Sequence, residues 1–184
     1  MFPNVKRLNF NYILYKWVYK KLIRGVKMKY VATTEMLGLK IPIFIGELDG
    51  AYAMTKTSKV PFDCGDGIKS KYQLILDTSL LIEEDDFVKY IFYHEIGHIE
   101  IFLKYLNGEI PFYPQGSFKE ELFCDVYSLK TIGKYNLDFI EYIRTYEEPM
   151  ELQKKLNRYM KIFLTKNIYN NTDDILKINF SGIK

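Results

Sequence analysis

The sequence predicts an α+β fold in which a short antiparallel sheet packs against several helices. Short apolar runs separated by turn residues fill residues 40–78, as is typical of strands. From Ser79 onwards, apolar residues recur three and four positions apart, which indicates helices with one buried face. The chain has 184 residues, of which 48% are hydrophobic, so it can bury one sizeable core. We therefore expect a single main domain.

Charge divides the chain into two parts. Residues 1–34 contain eight lysines and arginines and no acidic residue, whereas the whole chain has a net charge of +3, so residues 35–184 carry −5. Apolar residues at helical spacing within 8–28 predict that residues 1–34 form a basic amphipathic N-terminal helix. Such a helix can contact an anionic membrane surface or an acidic partner, but we expect it to pack on the acidic main domain, residues 35–184. Met28 also offers an internal start.

The β part consists of three apolar runs. The first, IPIFIGEL, covers residues 41–48, and an Asp-Gly turn signal separates it from the second, AYAMT, at 51–55. The segment SKVPFDCGDGIKSK, residues 58–71, is rich in Gly, Pro and Asp and is predicted to be a loop. The third run, YQLIL, resumes the sheet at 72–76. Antiparallel pairing is expected because no crossover helix fits between these runs.

Two helices with clear boundaries follow the strands. The first begins in the acidic run at residues 83–86, which suits the positive end of a helix dipole, and it ends at an Asn-Gly pair. The second begins at Ser117, which forms an S-x-x-E capping box with Glu120, and extends to about Gly133. Two further helical patterns occupy residues 137–147 and 149–166.

The first of these helices carries the only two histidines of the chain. His94 and His98 lie one helical turn apart on the same face, so that both imidazoles can bind one zinc ion. Glu95 lies about 100° round the helix from His94, which makes it a poor third ligand but lets it reach a water on that metal. Gly97 in mid-helix is explained either by neutral drift or by the close approach of another backbone element to this face.

The third ligand must be a carboxylate or a cysteine, because no other histidine exists. Glu121 is the best candidate, and Asp125 lies four residues later on the same face of the capped helix. Glu121 would complete a His2Glu site, and Asp125 would accept the free ring N–H of a ligand histidine. The alternative for both is a solvated helix start. Glu120 is a rival ligand already explained by the capping box, and Cys124 is a rival more simply explained as a small buried side chain.

These two motifs together resemble those of known enzymes. HEIGH at 94–98 followed by ELFCD at 121–125 resembles the gluzincin-type metallopeptidases. The pair is most similar to the ImmA/IrrE-type family of intracellular zinc peptidases, found in phages, mobile elements and bacterial stress responses. The resemblance covers about residues 72–133. It implies a small zincin-like domain in which Asp125 supports the site. The implied zinc ligands are His94, His98 and Glu121.

The expected activity is zinc-dependent hydrolysis of a peptide bond in a protein or peptide substrate, a regulator being one candidate. Glu95 would act as the general base, and the strand at 72–76 would pair with the extended substrate as an exposed edge. None of the 16 tyrosines can be chosen from the sequence as a helper for the oxyanion. The competing interpretations are a non-catalytic zinc-binding interaction module, such as a phage or mobile-element regulator, and an interaction protein with a chance motif. The intact Glu95 favours the enzyme, because a structural site needs no base.

Composition argues against several other classes of protein. No segment reaches the roughly 18 uninterrupted apolar residues that a membrane span needs, and the small-residue cleavage site of a secretory signal is missing. Two cysteines are too few for a disulfide scaffold or a four-cysteine zinc site. The acidic main domain offers no basic face for nucleic acid. We therefore expect a cytoplasmic protein with reduced thiols and no nucleic-acid partner.

Overall fold

The computed structural model describes residues 28–48, 51–83, 85–111, 113, 115–134, 139 and 173–177, which form an α+β fold. The strands are β1 (Lys29–Met36), β2 (Leu39–Gly46), β3 (Ala53–Gly65) and β4 (Ile68–Asp77). A 3-10 helix (Thr78–Ile82) follows, and the helices are α1 (Asp85–Leu106), α2 (Phe118–Ile132) and α3 (Asp173–Lys177). The predicted helical patterns at 8–28, 137–147 and 149–166 lie outside the described residues, except for Met28 and Phe139.

The four strands form one mixed sheet in the order β1-β2-β4-β3. The β1–β2 and β3–β4 pairs are antiparallel, whereas the central β2–β4 pair is parallel. Among the three predicted runs, antiparallel pairing is therefore correct for β3 with β4 and wrong for β2 with β4, and strand β1 was not predicted. A parallel pair needs a long crossover connection, and here β3 occupies the connection that a helix would normally fill.

Strand β4 lies inside the sheet. Its Leu74 pairs with Ile43 of β2 on one side and with Thr55 of β3 on the other. The prediction that the strand at 72–76 offers an exposed edge is therefore wrong, because both edges of β4 are already hydrogen-bonded in this part. Strands β1 and β3 form the two edges of the four-stranded sheet.

The predicted loop at 58–71 is wrong, because β3 and β4 form a continuous hairpin there. The chain reverses at a tight turn that contains Gly67, whose φ of 73° favours glycine. Pro61 is tolerated because the pairing register shifts between Thr57 and Phe62, so its missing N–H interrupts no regular ladder. The turn residues in this segment thus mark a hairpin and an irregularity instead of one long loop.

Strand β1 crosses the boundary predicted between residues 34 and 35. It begins at Lys29 and pairs with β2 along its length, so the sheet already includes residues 29–34. The β-branched residues Val31, Thr33 and Thr34 favour this extended conformation. The positive charge of the first 34 residues therefore does not coincide with one structural element.

The boundaries predicted for the two site helices are confirmed. Helix α1 begins at Asp85 in the acidic run, and Gly108 follows its end with a φ of 73°. At the start of α2, the Ser117 hydroxyl accepts a hydrogen bond from the Glu120 amide at 3.2 Å. Gly133 ends this helix in the left-handed conformation.

The core lies between one face of the sheet and helices α1 and α2. Apolar side chains from β2 and β4 form its sheet side, and they alternate with residues that face the other way. A smaller buried cluster on the opposite face consists of Phe44, Cys64 and Ile75. Among the described residues, no helix is long and apolar enough to cross a membrane. The sheet and α2 thus enclose α1, which carries the two histidines.

Candidate metal centre

The two histidines of α1 face a single carboxylate on α2. The Nε2 atom of His94 lies 3.3 Å from one oxygen of Glu121, and the Nε2 atom of His98 lies 4.0 Å from the other. The imidazole rings are 5.1 Å apart between centroids. The side chains of His94, His98 and Glu121 are 16%, 17% and 28% exposed, so solvent reaches this side of the site. The structure therefore brings the three predicted ligands together.

The other nitrogen of His94 is held by Asp125. The Nδ1 atom lies 2.9 Å from Asp125 Oδ1, and the same oxygen accepts a hydrogen bond from the Tyr90 hydroxyl. Because a carboxylate accepts, the ring donates from Nδ1 and turns Nε2 towards Glu121. The Asp125 side chain is only 4% exposed. The contact predicted for Asp125 is thus present in the structure.

His98 has an equivalent partner that was not predicted. Its Nδ1 atom lies 2.8 Å from Glu120 Oε1, which also accepts a hydrogen bond from the Tyr113 hydroxyl at 3.1 Å. The second oxygen of Glu120 accepts from the Gly116 amide at 2.6 Å. The cap at Ser117 is real, but the Glu120 side chain does not close the capping box on the Ser117 amide. It turns inwards and is buried beside His98.

A chemical signal for Glu120 was present in the sequence. Two histidine ligands that bind metal through Nε2 require two acceptors for their Nδ1 protons. Asp125 supplies one acceptor, and Glu120 is the carboxylate that precedes the predicted ligand Glu121. Counting acceptors would therefore have favoured Glu120 as the second one. The capping-box explanation obscured this role.

Helices α1 and α2 are in contact at Gly97, between the two histidines. A methyl group placed on Gly97 would lie 2.9 Å from the Cα atom and 3.1 Å from the Sγ atom of Cys124. The predicted close approach of another backbone to this face is confirmed. Glycine at position 97 is what allows α2 to bring its carboxylates to the histidines.

Cys124 shares the site with the histidines but has an unfavourable environment for a thiolate. Burial raises the pKa of its thiol well above the ordinary value, and the neighbouring carboxylates Glu121, Glu120 and Glu95 raise it further. The side chain is fully buried at the helix contact. These observations support the interpretation of Cys124 as a small packing residue.

The carboxylates control the charge of His94. Burial lowers the pKa of this imidazole, but its hydrogen bonds to Asp125 and Glu121 outweigh burial and raise the pKa well above its ordinary value. Burial raises the pKa of Glu121, but the adjacent His94 outweighs it and the pKa is lowered. Without a metal, the carboxylates of Asp125 and Glu121 therefore favour the protonated, positively charged form of His94.

Glu95 is 8% exposed and follows His94 directly. Its charge contributes to the raised pKa of His94, so the carboxylate lies within electrostatic range of the ring. The hydroxyl of Thr55 donates a hydrogen bond to the Glu95 carbonyl at 3.0 Å. This bond joins the edge strand β3 to the helix at the residue predicted to be the base.

Two overlapping groups of side chains have ligand atoms that all lie within 4.8 Å of one another. One group consists of His94, His98 and Cys124, and the other of His98, Glu120 and Glu121. These side chains are therefore close enough to bind a metal ion. No family model, curated protein or solved structure matches this chain.

Proposed function

We propose that this protein is a zinc-dependent peptidase that hydrolyses a peptide bond in a protein substrate. The observation that carries the proposal is the convergence of both Nε2 atoms on the Glu121 carboxylate while both Nδ1 atoms face buried carboxylates. Two imidazoles and one carboxylate are ligands that suit zinc. His94, His98 and Glu121 would bind the ion.

One of the two histidine–carboxylate distances already fits zinc. Ligand atoms bound tetrahedrally at about 2.0–2.2 Å from zinc are about 3.3–3.5 Å apart. The 3.3 Å between His94 and one oxygen of Glu121 has this value, whereas His98 lies 4.0 Å from the other oxygen and would have to move closer. The partly exposed faces of the three ligands leave room for a water or substrate in the fourth position.

The buried residues around the ligands have separate tasks. A zinc ion held by His94, His98 and Glu121 would act as a Lewis acid towards the scissile carbonyl and the attacking water. Glu95 accepts a proton from the attacking water and passes it to the leaving amine. Asp125 and Glu120 fix the tautomers of the two histidines, so that Nε2 is available to the metal. The Tyr90 and Tyr113 hydroxyls donate to these carboxylates on the Nδ1 side of the rings.

An extended substrate would bind along β3. This strand is an edge of the four-stranded sheet, and its Thr55 contacts the Glu95 carbonyl, so the edge passes close to the predicted base. A peptide that pairs with an exposed edge gains main-chain hydrogen bonds for any sequence. Strand β3 therefore takes the role that the sequence suggested for residues 72–76.

Glu95→Gln is the decisive test of hydrolysis. We expect this variant to bind one equivalent of zinc and to lose cleavage of a proteome-derived peptide library measured by mass spectrometry, because the amide cannot accept the proton. Glu35→Gln, an exposed residue on β1, is the matched control and should cleave normally. Full activity of Glu95→Gln on a verified substrate would exclude the mechanism.

His94→Ala separates a catalytic site from a structural one. Removing this ligand should abolish zinc binding and hydrolysis but leave a cooperatively folded protein, because the core between the sheet and helices is apolar. Unfolding on zinc chelation would instead favour the non-catalytic zinc-binding module. Purified protein that contains no stoichiometric zinc would argue against both.

A further inference from the structure

Glu120 connects the metal site to the segment that precedes α2. Its Oε1 atom accepts from His98 Nδ1 and from the Tyr113 hydroxyl, and its Oε2 atom accepts from the Gly116 amide. The residue is 2% exposed, so water competes little for these bonds. The pre-α2 segment is defined as residues 109–117, of which the structure describes 109–111, 113 and 115–117. One buried side chain thus holds a histidine ligand and two points of this segment.

Tyr113 extends this connection to the substrate side of the protein. Its ring stacks on Tyr105 at 6.1 Å and contacts Phe102 edge-on at 5.4 Å. The side chain of Thr57 is close enough to this hydroxyl to lower its pKa, against the stronger effects of burial and Glu120. Thr57 is the last residue of β3 to pair with β4 before the register shift, and β3 is the proposed substrate edge. Hydrogen bonds therefore lead from His98 through Glu120 to Tyr113, which lies near Thr57 of β3.

We propose that Glu120 is a positioning residue that couples metal binding at His98 to the conformation of the pre-α2 segment. This inference rests on the proposed function. A metal on Nε2 requires the proton of the neutral imidazole to be on Nδ1, where it is donated to Glu120, and the metal strengthens that donor. The metal-free ring can also adopt the other tautomer, whose Nδ1 lone pair faces the carboxylate and makes no hydrogen bond. Metal binding thus fixes Glu120, and Glu120 holds Tyr113 and Gly116.

The coupling is reciprocal by thermodynamic linkage. If zinc stabilises the contacts of Tyr113 and Gly116, these contacts increase zinc affinity by the same factor. The position of Tyr113 beside Thr57 of β3 is then fixed when the metal is bound, because Glu120 holds the Tyr113 hydroxyl. The contacts of Asp125 described above are with Tyr90 and His94, which both lie on α1.

Hydrogen exchange of the full-length protein, with and without zinc, tests the coupling. In the wild-type chain, saturating zinc should slow exchange in peptides covering 109–117, including the Gly116 amide, by about tenfold. In Glu120→Gln, zinc should bind about 10–100-fold more weakly, and saturating zinc should no longer protect Gly116. Equal protection in this variant and in the wild-type chain would overturn the proposal.

Tyr113→Phe provides a second test in which Glu120 is retained. It should weaken zinc binding several-fold and reduce the zinc-dependent protection of the segment. Tyr90→Phe removes the equivalent bond to Asp125 and should weaken zinc binding while leaving that protection intact. Equal effects of the two phenylalanine variants on Gly116 exchange would contradict the coupling.

The outcome separates this inference from the proposed function. Stoichiometric zinc with no effect on exchange overturns the coupling alone, and the hydrolysis test with Glu95→Gln still stands. Absence of zinc binding overturns both. Coupled exchange in a protein whose hydrolysis survives Glu95→Gln overturns the proposed mechanism and supports the coupling.

Discussion

In the candidate metal centre, each histidine is supported by a carboxylate that binds its Nδ1 atom. The two supports have the same chemistry, but their carboxylates are bonded to different parts of the structure. His94 is held by Asp125, which receives a second bond from Tyr90 of the same helix as the histidine. His98 is held by Glu120, whose other partners, Tyr113 and Gly116, precede α2. The contacts described for His94 thus join two helices, α1 and α2. The support of His98 also requires the segment before α2 to be in place.

Under the proposed coupling, one histidine is positioned by the packing of two helices and the other also by a connection to the pre-α2 segment. Both carboxylates are almost completely buried, with side chains 4% and 3% exposed for Asp125 and Glu120. Burial alone therefore does not distinguish them. The two carboxylates differ in the elements that supply their other described hydrogen bonds. Mutations can therefore change each support separately.

Gly97→Ala should have the largest effect because it changes both supports at once. The added methyl group would meet the Cα atom of Cys124 at 2.9 Å, and a backbone atom cannot move aside alone. We expect a loss of about 3 kcal/mol in the free energy of unfolding, despite the gain of about 1 kcal/mol in helix propensity, together with weaker zinc binding. Chemical denaturation and competition with a chromophoric chelator measure the two effects.

Gly46→Ala is the matched control for this substitution. A methyl group there would lie 3.3 Å from the Cα atom of Met28, a less severe contact on β2, away from the histidines. It should cost less stability and leave zinc affinity unchanged. If Gly97→Ala were as stable as the wild-type protein, the helices would have room to separate. The contact at Gly97 would then not be required for either support.

Asp125→Asn changes the support of His94. It should alter the number of protons released on zinc binding as well as the zinc affinity. Metal-free His94 has a pKa raised well above the ordinary 6.5, which favours the protonated ring, and zinc competes with that proton. We expect zinc binding at pH 7 to release about one proton and to weaken as pH falls through the raised pKa. Without the Asp125 carboxylate the pKa falls, so less proton is released, and zinc affinity drops about 10–100-fold.

Calorimetry of zinc binding in two buffers of different ionisation enthalpy measures this proton release. The same shift predicts the pH dependence of stability. A pKa raised in the folded state adds stability that is complete below the ordinary value of 6.5 and is lost as pH rises through the raised pKa. Metal-free wild-type protein should show this loss, and Asp125→Asn should show less of it. Unchanged proton release in the variant would mean that Asp125 does not set the charge of His94.

Local features of the sequence were sufficient to predict one support and not the other. His94, His98, Glu121 and Asp125 follow from helical spacing and ligand chemistry, and the helix boundaries follow from capping residues. The contact between Tyr113 and Glu120 depends on how a connection folds back on a helix, for which periodicity carries no signal. The parallel pairing of β2 with β4 was missed for the same reason, because strand order is set by the whole sheet.

Thr55→Val should have the smallest effect, since it leaves both supports intact. It removes the hydrogen bond from the Thr55 hydroxyl to the Glu95 carbonyl, which joins β3 to the helix between the two histidines. We expect a loss of about 1 kcal/mol in unfolding free energy and a several-fold lower kcat, with zinc affinity unchanged.

Thr33→Val, which removes an exposed hydroxyl contact to Tyr30 on β1, should leave kcat unchanged. If Thr55→Val weakened zinc binding as much as Asp125→Asn does, β3 would also be needed to position the histidines. Unchanged zinc affinity with reduced turnover would instead place the contribution of β3 at the proposed base, Glu95, and the proposed substrate edge.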